Sequence, residues 1–289
     1  MTDAGLRTGE ELAPAKVNLA LHVTGRRPDG YHLIDSLVAF ADFGDRVRLS
    51  PARETTMAMT GPFADAAPDD ARNLAWAAAV GLASVFPGRV PSVRIDIVKE
   101  IPVSAGLGGA SADAAATLRA LCRLAGISTA DPAVRDLAVS LGADVPVCLL
   151  GRAARMRGIG EQIVPLTTPV SLHAVIAKPA EGLSTAEVFA RLRFDGSGNG
   201  GLDALPDVVT VEALAALRND LELPAAGLLP GIGPLCRTLR ACDGAMLARM
   251  TGSGSACFAL FATAAEAGRA AAGLRKEDPE LWVRAARLA

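Results

Sequence analysis

Aromatic side chains are scarce in this chain, at 4% of 289 residues with a single tyrosine. A surface that binds nucleic acid through successive stacked bases needs several flat rings beside a basic stripe, and neither is present. Acids and bases are mixed throughout, and the net charge is only −2. Nucleic acid is therefore not an expected partner. The longest uncharged apolar segment, Leu74 to Gly88, contains Gly, Ser and Pro and is too short to cross a bilayer. No membrane partner is expected either. The five cysteines (Cys122, Cys148, Cys236, Cys242, Cys257) show no CxxC spacing, and with three scattered histidines they make no zinc set. Each cysteine lies in an apolar context, which predicts buried free thiols. The first residues lack the basic-then-apolar pattern of a signal peptide. The expectation is a soluble cytoplasmic protein.

Two nucleotide-loop patterns are also missing. No Gly-Lys-Ser/Thr follows the glycines at Walker A spacing, and counting G-x-G-x-x-G from Gly106 places Ser111 where the last glycine belongs. What is present is Ile101-Pro-Val-Ser-Ala-Gly-Leu-Gly-Gly-Ala-Ser-Ala-Asp-Ala-Ala-Ala116. Gly106, Gly108 and Gly109 permit positive φ and close backbone approach. The small-residue run after them predicts a helix, whose first N–H groups carry partial positive charge. Together they suit phosphate oxygens, although a glycine turn before a helix is common without that role. The strand Val93–Val98 is separated from the glycines by Lys99-Glu-Ile-Pro-Val-Ser-Ala105, which argues against a dinucleotide-binding turn.

Length allows one large domain or two, and 51% hydrophobic residues with few rings predict small-residue helices packed on sheets. Val17, Leu19, Leu21 and Val23 alternate with polar or small residues, a strand period that continues from Ala13 to Thr24. Gly25–Gly30 is turn chemistry. Tyr31–Phe40 resumes as a strand or a short mixed element, and Asp45–Ser50 alternates again. Asn73–Val85 reads as a helix apolar nearly all round and so mostly buried. Helices are predicted at Ser111–Ala125 and from Asp131-Pro132 to about Leu141, with a turn at Gly142–Pro146 and a short buried segment to Leu150. Gly151–Gly160 is a plausible domain boundary. Beyond it come a strand at His173–Ala177, a helix at Thr185–Arg193, a polar insertion at Asp195–Gly201, a strand at Ala245–Arg249, a glycine loop at Thr251–Ser255, a strand at Cys257–Phe261 and a helix from about Ala264. Strands and helices alternate without a regular βαβ series, so the fold class is α+β.

Four patches could carry chemistry: Pro14-Ala-Lys16-Val-Asn18 with Tyr31-His32, the first glycine loop, Gly142-Ala-Asp144-Val-Pro, and Thr251-Gly-Ser-Gly. Each has an ordinary structural reading. A lysine at a strand start commonly snorkels to solvent, an Asp after Gly-Ala commonly caps a turn, and Thr251–Ser255 is a hairpin loop. Their order along one chain resembles the superfamily of galactokinase, homoserine kinase, mevalonate kinase and phosphomevalonate kinase (GHMP kinases). Thr24-Gly-Arg-Arg-Pro-Asp-Gly-Tyr-His32, Gly142-Ala-Asp-Val-Pro146, the run from Lys178-Pro to Ser-Thr185, and Asn219-Asp-Leu-Glu222 are similar to its branch that acts on the cytidine diphosphate ester of methylerythritol.

That resemblance implies a ribosomal-protein-S5-like ATP-binding domain over residues 1–157 and a ferredoxin-like domain over 158–289. It implies ATP and Mg²⁺, with the 2-hydroxyl of the cytidylyl ester as phosphoryl acceptor. By matched position Asp144 would be the catalytic carboxylate and Lys16 its partner. The loop from Pro102 through Val103, Ser104, Ala105, Gly106 and Leu107 to Gly108 and Gly109, with Ala110, Ser111 and Ala112 after it, would wrap the ATP phosphates. Asn73 and Lys99 would approach the adenosine. Asn18, Tyr31, His32, Thr185 and Phe189 would hold the acceptor substrate, with Thr251, Gly252, Ser253 and Gly254 closing over the phosphate region. Members often carry Gly-Ser-Ser-Asn where this chain has Ala110-Ser-Ala-Asp113. Ser111 is then the candidate side chain for metal, and the second hydroxyl is lost at Ala112. Two alternatives stand beside this reading: a kinase of the same superfamily for homoserine or mevalonate, and a non-catalytic nucleotide-binding sensor. Tyr31 and His32 argue against the first, since those substrates offer no pyrimidine, and retention of both Lys16 and Asp144 argues against the second.

Overall fold

The computed structural model describes residues 9–193, 201–202 and 209–289. The chain divides into two compact units that interleave in sequence. The first holds Phe43–Val103, Gly108–Gly151 and the segment up to Ala15, and the second holds Lys16–Asp42, Ser104–Leu107 and Arg152–Ala289. The strands β1 (Glu10–Arg26) and β2 (His32–Pro51) each contribute residues to both units.

In the first unit, β2 pairs antiparallel with β4 (Val93–Val98), and β3 (Thr56–Thr60) pairs parallel with β4. Val47, Leu49, Val93, Ile95 and Ile97 are buried, while the intervening Arg48 and Arg94 are exposed. This is the period-2 signature of a sheet with one covered face. Its helices are α1 (Leu74–Val85), α2 (Gly109–Ala125), α3 (Pro132–Leu141) and α4 (Val145–Leu150). Helix α2 packs against both α1 and α4, and its alanines 112, 114, 115 and 116 are fully buried. Small side chains allow that close approach. Asp131 caps α3 by accepting from the Ala133 N–H at 2.9 Å, with Pro132 in the first turn as expected.

The second unit is built on an antiparallel sheet. Here β2 pairs with β5 (Ala154–Gly158), which pairs in turn with β6 (Gln162–Pro165). Strand β10 (Trp282–Leu288) pairs with β7 (Leu172–Lys178), β7 with β9 (Cys257–Phe261), and β9 with β8 (Ala245–Met250). The helices are α5 (Thr185–Arg191), α6 (Val211–Ala215), α7 (Glu222–Leu228), α8 (Ile232–Ala241) and α9 (Ala264–Glu277). The core gathers Val175, Ala177, Phe261 and Val283 from the sheet with Ile232, Leu239, Ala271 and Leu274 from α8 and α9. A capping box starts α9: Thr263 accepts from the Glu266 N–H, and the Glu266 carboxylate accepts from the Thr263 N–H.

The α+β class and most expected elements are present, with several differences. Strands β3, β5 and β6 were not expected, and β5 lies within the Gly151–Gly160 segment read as a boundary. Apart from Tyr31, which precedes it, Tyr31–Phe40 and Asp45–Ser50 fall within one 20-residue strand, because the short Phe43-Gly44 interruption is compatible with extended backbone. The predicted all-round burial of α1 is confined to Ala75, Ala78, Ala79 and Leu82, and Val80 and Val85 are exposed. The turn expected at Gly142–Pro146 already enters α4 at Val145. The C-terminal residues after α9 form β10, whose buried positions Val283, Ala286 and Leu288 do not alternate strictly. The Asp195–Gly201 insertion lies outside the described residues apart from Gly201.

Candidate functional site

Lys16 opens the apolar run of β1, and Asn18 and His22 alternate with its apolar residues; in the structure both faces of this strand are covered. All three side chains are buried. Buried polar groups must find partners, and those of Asn18 define one cluster in the second unit. Its backbone N–H donates to Thr251 Oγ1 at 2.8 Å, and its Nδ2 donates to Ser36 Oγ at 2.7 Å. Its Oδ1 has no hydrogen-bond partner among the described residues. The Lys16 N–H donates to the Leu107 carbonyl at 2.8 Å, which ties β1 to the glycine loop.

The two glycine loops meet backbone to backbone within this unit. Gly106 has φ +72°, and a Cβ there would stand 2.6 Å from the Thr251 carbonyl oxygen and 2.9 Å from the Gly254 N. Only glycine fits both the dihedral and the space. The Ala256 N–H donates to the Ala105 carbonyl at 3.0 Å, and the Leu183 N–H to that of Ser104 at 3.2 Å. Thr185 and Ser253 share a hydroxyl hydrogen bond of 2.8 Å. Loop 251–255 does join β8 to β9 as a hairpin, and it also forms one wall of this cluster.

His32 and Phe189 are brought together as a stacked pair, with centroids 5.1 Å apart and planes inclined by 24°. Burial, reinforced by the positive charge of Arg26, holds the His32 pKa below its usual value. The ring is therefore neutral at physiological pH, which suits contact with an uncharged base. Tyr31 is 61% exposed beside them.

In the first unit, Gly108 is the N-cap of α2 in the left-handed conformation and offers no side-chain cap. The first-turn N–H groups of Gly109, Ala110 and Ser111 therefore have no capping side chain, which is the geometry that accepts a phosphate. Ala112 is fully buried. Beneath this turn lies a charged triad. The Lys99 ammonium donates to Asp45 Oδ2 and, at 2.5 Å, to Asp113 Oδ2, and all three residues are buried. The other Asp45 oxygen accepts from the Glu100 and Ile101 N–H groups at 2.5 and 2.7 Å. The triad thus fixes the lead-in to the glycine loop. Burial drives the Asp113 pKa up to about 7, partly offset by Lys99. Burial lowers the Lys99 pKa, but the two carboxylates outweigh it and leave a net rise.

Asn73 is the N-cap of α1. Its Oδ1 accepts from the Ala75 N–H at 2.9 Å and its Nδ2 donates to the Pro68 carbonyl at 2.8 Å. Asp144 sits at the N-cap position of α4, where its side chain makes no cap hydrogen bond to that helix. Its side chain is partly buried.

Residues that sequence reasoning quoted without a role prove to organise the second unit. Asn219 Nδ2 donates to the carbonyls of Met250 and Gly252 at 2.9 and 2.8 Å, and its Oδ1 accepts from the Leu221 N–H. Asp220 accepts from the Val23 N–H at 2.8 Å and Glu222 from the Met250 N–H at 3.0 Å. The Lys178 ammonium donates to the carbonyls of Pro179, Ala180 and Glu181. The partners of Lys99 were not foreseen. A charged residue in an apolar strand, such as Asp45, was the available signal.

A glycine loop leading into an uncapped helix, joined in sequence to a second glycine hairpin, is the frame of a small-molecule kinase. Residues 73–152 match the GHMP kinases N terminal domain and residues 202–280 the GHMP kinases C terminal domain. The chain belongs to the GHMP kinase family. It is 49% identical over 286 residues to the 4-diphosphocytidyl-2-C-methyl-D-erythritol kinase of Cereibacter sphaeroides, covering 96% of this chain and 99% of that one. It is 45% identical to the protein of the same name from Bradyrhizobium diazoefficiens, covering 95% and 96% of the two chains. A crystal structure of 4-(cytidine 5'-diphospho)-2C-methyl-D-erythritol kinase superposes with a TM-score of 0.80 at 38% identity, covering 97% of this chain and 99% of that one.

Proposed function

We propose that the protein is the ATP-dependent kinase that phosphorylates the 2-hydroxyl of 4-diphosphocytidyl-2-C-methyl-D-erythritol, in the non-mevalonate route to isoprenoid precursors. The observation that carries this reading is likeness at 49% identity over nearly the whole of both chains. The stacked His32–Phe189 pair supports it, because a flat pyrimidine is the substrate feature such rings recognise. Homoserine and mevalonate kinase readings give those rings no ligand to hold, and a sensor has no need of both Lys16 and Asp144.

In this reading the substrate hydroxyl oxygen attacks the γ-phosphorus of ATP, the bond to the ADP oxygen breaks, and Asp144 takes the hydroxyl proton. Lys16 holds the hydroxyl and offsets negative charge as the phosphoryl group moves. Positioning and charge stabilisation do most of the work in such transfers. The backbone N–H groups of the loop from Pro102 to Ala112 hold the phosphates, with residues 1–157 as the ATP-binding domain and 158–289 as the substrate domain. Asn73 and Lys99 shape the adenosine side by fixing the start of α1 and the loop lead-in. Asn18 Oδ1, buried with no partner, is an acceptor for a substrate hydroxyl. Thr185 and the loop Thr251–Gly254 close over the substrate phosphates.

Mg²⁺, when bound with ATP, would supply further neutralisation of the phosphate charge. Among the described residues no group of three His, Cys, Asp or Glu could hold a metal. Ser111, in the first turn of α2, is the candidate side chain for such an ion. Among the described residues no helix is long and apolar enough to cross a membrane.

ATP consumption by purified protein with Mg²⁺ tests the reading, with homoserine and mevalonate as parallel acceptors. Turnover with the cytidylyl compound alone is expected, and turnover only with a control acceptor would refute the cytosine site. Asp144→Ala should remove most turnover while ATP still binds. Near-normal rates in that variant would move the base elsewhere.

A further inference from the structure

Among the five cysteines, all free, two stand apart from the expected set of inert buried thiols. Cys236 on α8 and Cys257 at the start of β9 approach with their sulfurs 3.2 Å apart. They lie 21 residues apart on different elements, so closing a bond between them would link α8 to β9 and not merely two turns of one helix. Cys257 is fully buried in the core of the second unit, whereas Cys236 lies at the margin of that core and is partly exposed. One thiol is thus reachable from solvent and the other is already within reach of the first. That is the arrangement of an attacking and a resolving cysteine.

We propose that Cys236 and Cys257 are a modification site: hydroperoxides convert them to an intrachain disulfide that thiol reductants reopen. In the first step the Cys236 sulfur attacks a peroxide oxygen, the O–O bond breaks, and the departing oxygen takes the thiol proton as water (from hydrogen peroxide) or an alcohol (from an organic hydroperoxide), giving a sulfenic acid. In the second, the Cys257 sulfur attacks the Cys236 sulfur, the S–S bond forms, the S–O bond breaks, and the departing hydroxide takes the Cys257 proton as water. Two thiols are oxidised and one peroxide is reduced. The sulfurs need to move from 3.2 Å to about 2.05 Å, a shift of roughly one ångström that the margin position of Cys236 allows. Cys257 remains a thiol until that moment. The contact with Cys236 and then burial hold its pKa well above the ordinary value, so it does not itself meet peroxide first.

The bond would form two residues past Ser255, at the exit of the glycine hairpin whose Thr251 holds β1. It would anchor that hairpin to α8 and not only to its own strand pair.

The full chain is treated with stoichiometric hydrogen peroxide, denatured under alkylating conditions and mapped by mass spectrometry. Loss of two of the five thiols, with a Cys236–Cys257 linked peptide that dithiothreitol separates, is expected. Cys236→Ser, on the exposed side and so least damaging to folding, should abolish the link, and Cys257→Ala should instead leave Cys236 trapped as a sulfenic acid reactive to dimedone. Five intact thiols, a Cys236–Cys242 link, or sulfinic acid on Cys236 in the unmodified sequence would each overturn the proposal.

Discussion

Thr251 Oγ1 accepts the backbone N–H of Asn18 at 2.8 Å across 233 residues of sequence. Both residues are buried, so no water can replace the hydroxyl. The bond sets the hairpin between β8 and β9 against the strand that carries Lys16 and Asn18. Thr251→Val, nearly isosteric, would leave that N–H unsatisfied and should cost about 1–3 kcal/mol of stability. Thr251→Ser should restore most of it. Urea denaturation of the three proteins separates the outcomes, and equal stability for Val and Thr would show the bond to be dispensable.

Gly106 allows less freedom still. Alanine there must adopt a left-handed backbone, at about 1–2 kcal/mol, and must also push the Thr251 carbonyl away. Gly106→Ala is expected to destabilise the protein and to raise the KM for ATP. In α9 the sign reverses: Gly268 has open space around its missing Cβ. Gly268→Ala should add about 0.5–1 kcal/mol. Thermal melts of the pair should shift in opposite directions.

The His32–Phe189 pair predicts a split in kinetic constants. With centroids 5.1 Å apart, the rings leave no room between them for a base. A base either replaces one partner or stacks on an outer face. Either way, His32→Ala or Phe189→Ala should raise the KM for the cytidylyl substrate at least tenfold while the KM for ATP changes less than twofold. Equal effects on both would place the base site elsewhere.

Asp113 makes stability depend on pH. Its carboxyl holds a proton up to about 7 in the folded state, against roughly 4 when unfolded. Between those values the folded state binds more protons, so stability falls as pH rises through that window and levels off above it. The raised pKa of Lys99 acts only on the alkaline side, where its stabilisation is lost as the ammonium titrates. Asp113→Asn removes the first dependence. Urea midpoints at pH 5 and pH 7.5 should differ in the parent protein and converge in the variant.

The parts of this molecule legible in the sequence are those governed by local pattern. The alternation of Val93–Val98, the Asp131-Pro132 start of α3 and the glycines before α2 each act over a few residues, and each was placed within two residues of its observed position. Lys16 and Asn18 were located, but the cover over their face of β1 was not foreseen. What covers that face comes from far along the chain, including Thr251 and residues near 218, and a strand's period says nothing about a second layer. Lys99 was found without Asp45 and Asp113 for the same reason: a buried ion pair is a fact of tertiary placement. Strand β10 was missed because small alanines blur its alternation.

Among the described residues, three buried cations have their donors occupied inside the fold. Lys99 holds two carboxylates, Lys178 holds three carbonyls, and the Arg249 guanidinium holds the carbonyls of Leu19, Leu214 and Leu217. In the proposed reading the triphosphate is held mainly by neutral peptide groups of the loop from Pro102 to Ala112, which offer little for dissolved ions to screen. Nucleotide affinity should therefore change little between dilute buffer and physiological ionic strength, unlike that of a protein that captures its anion with surface lysines.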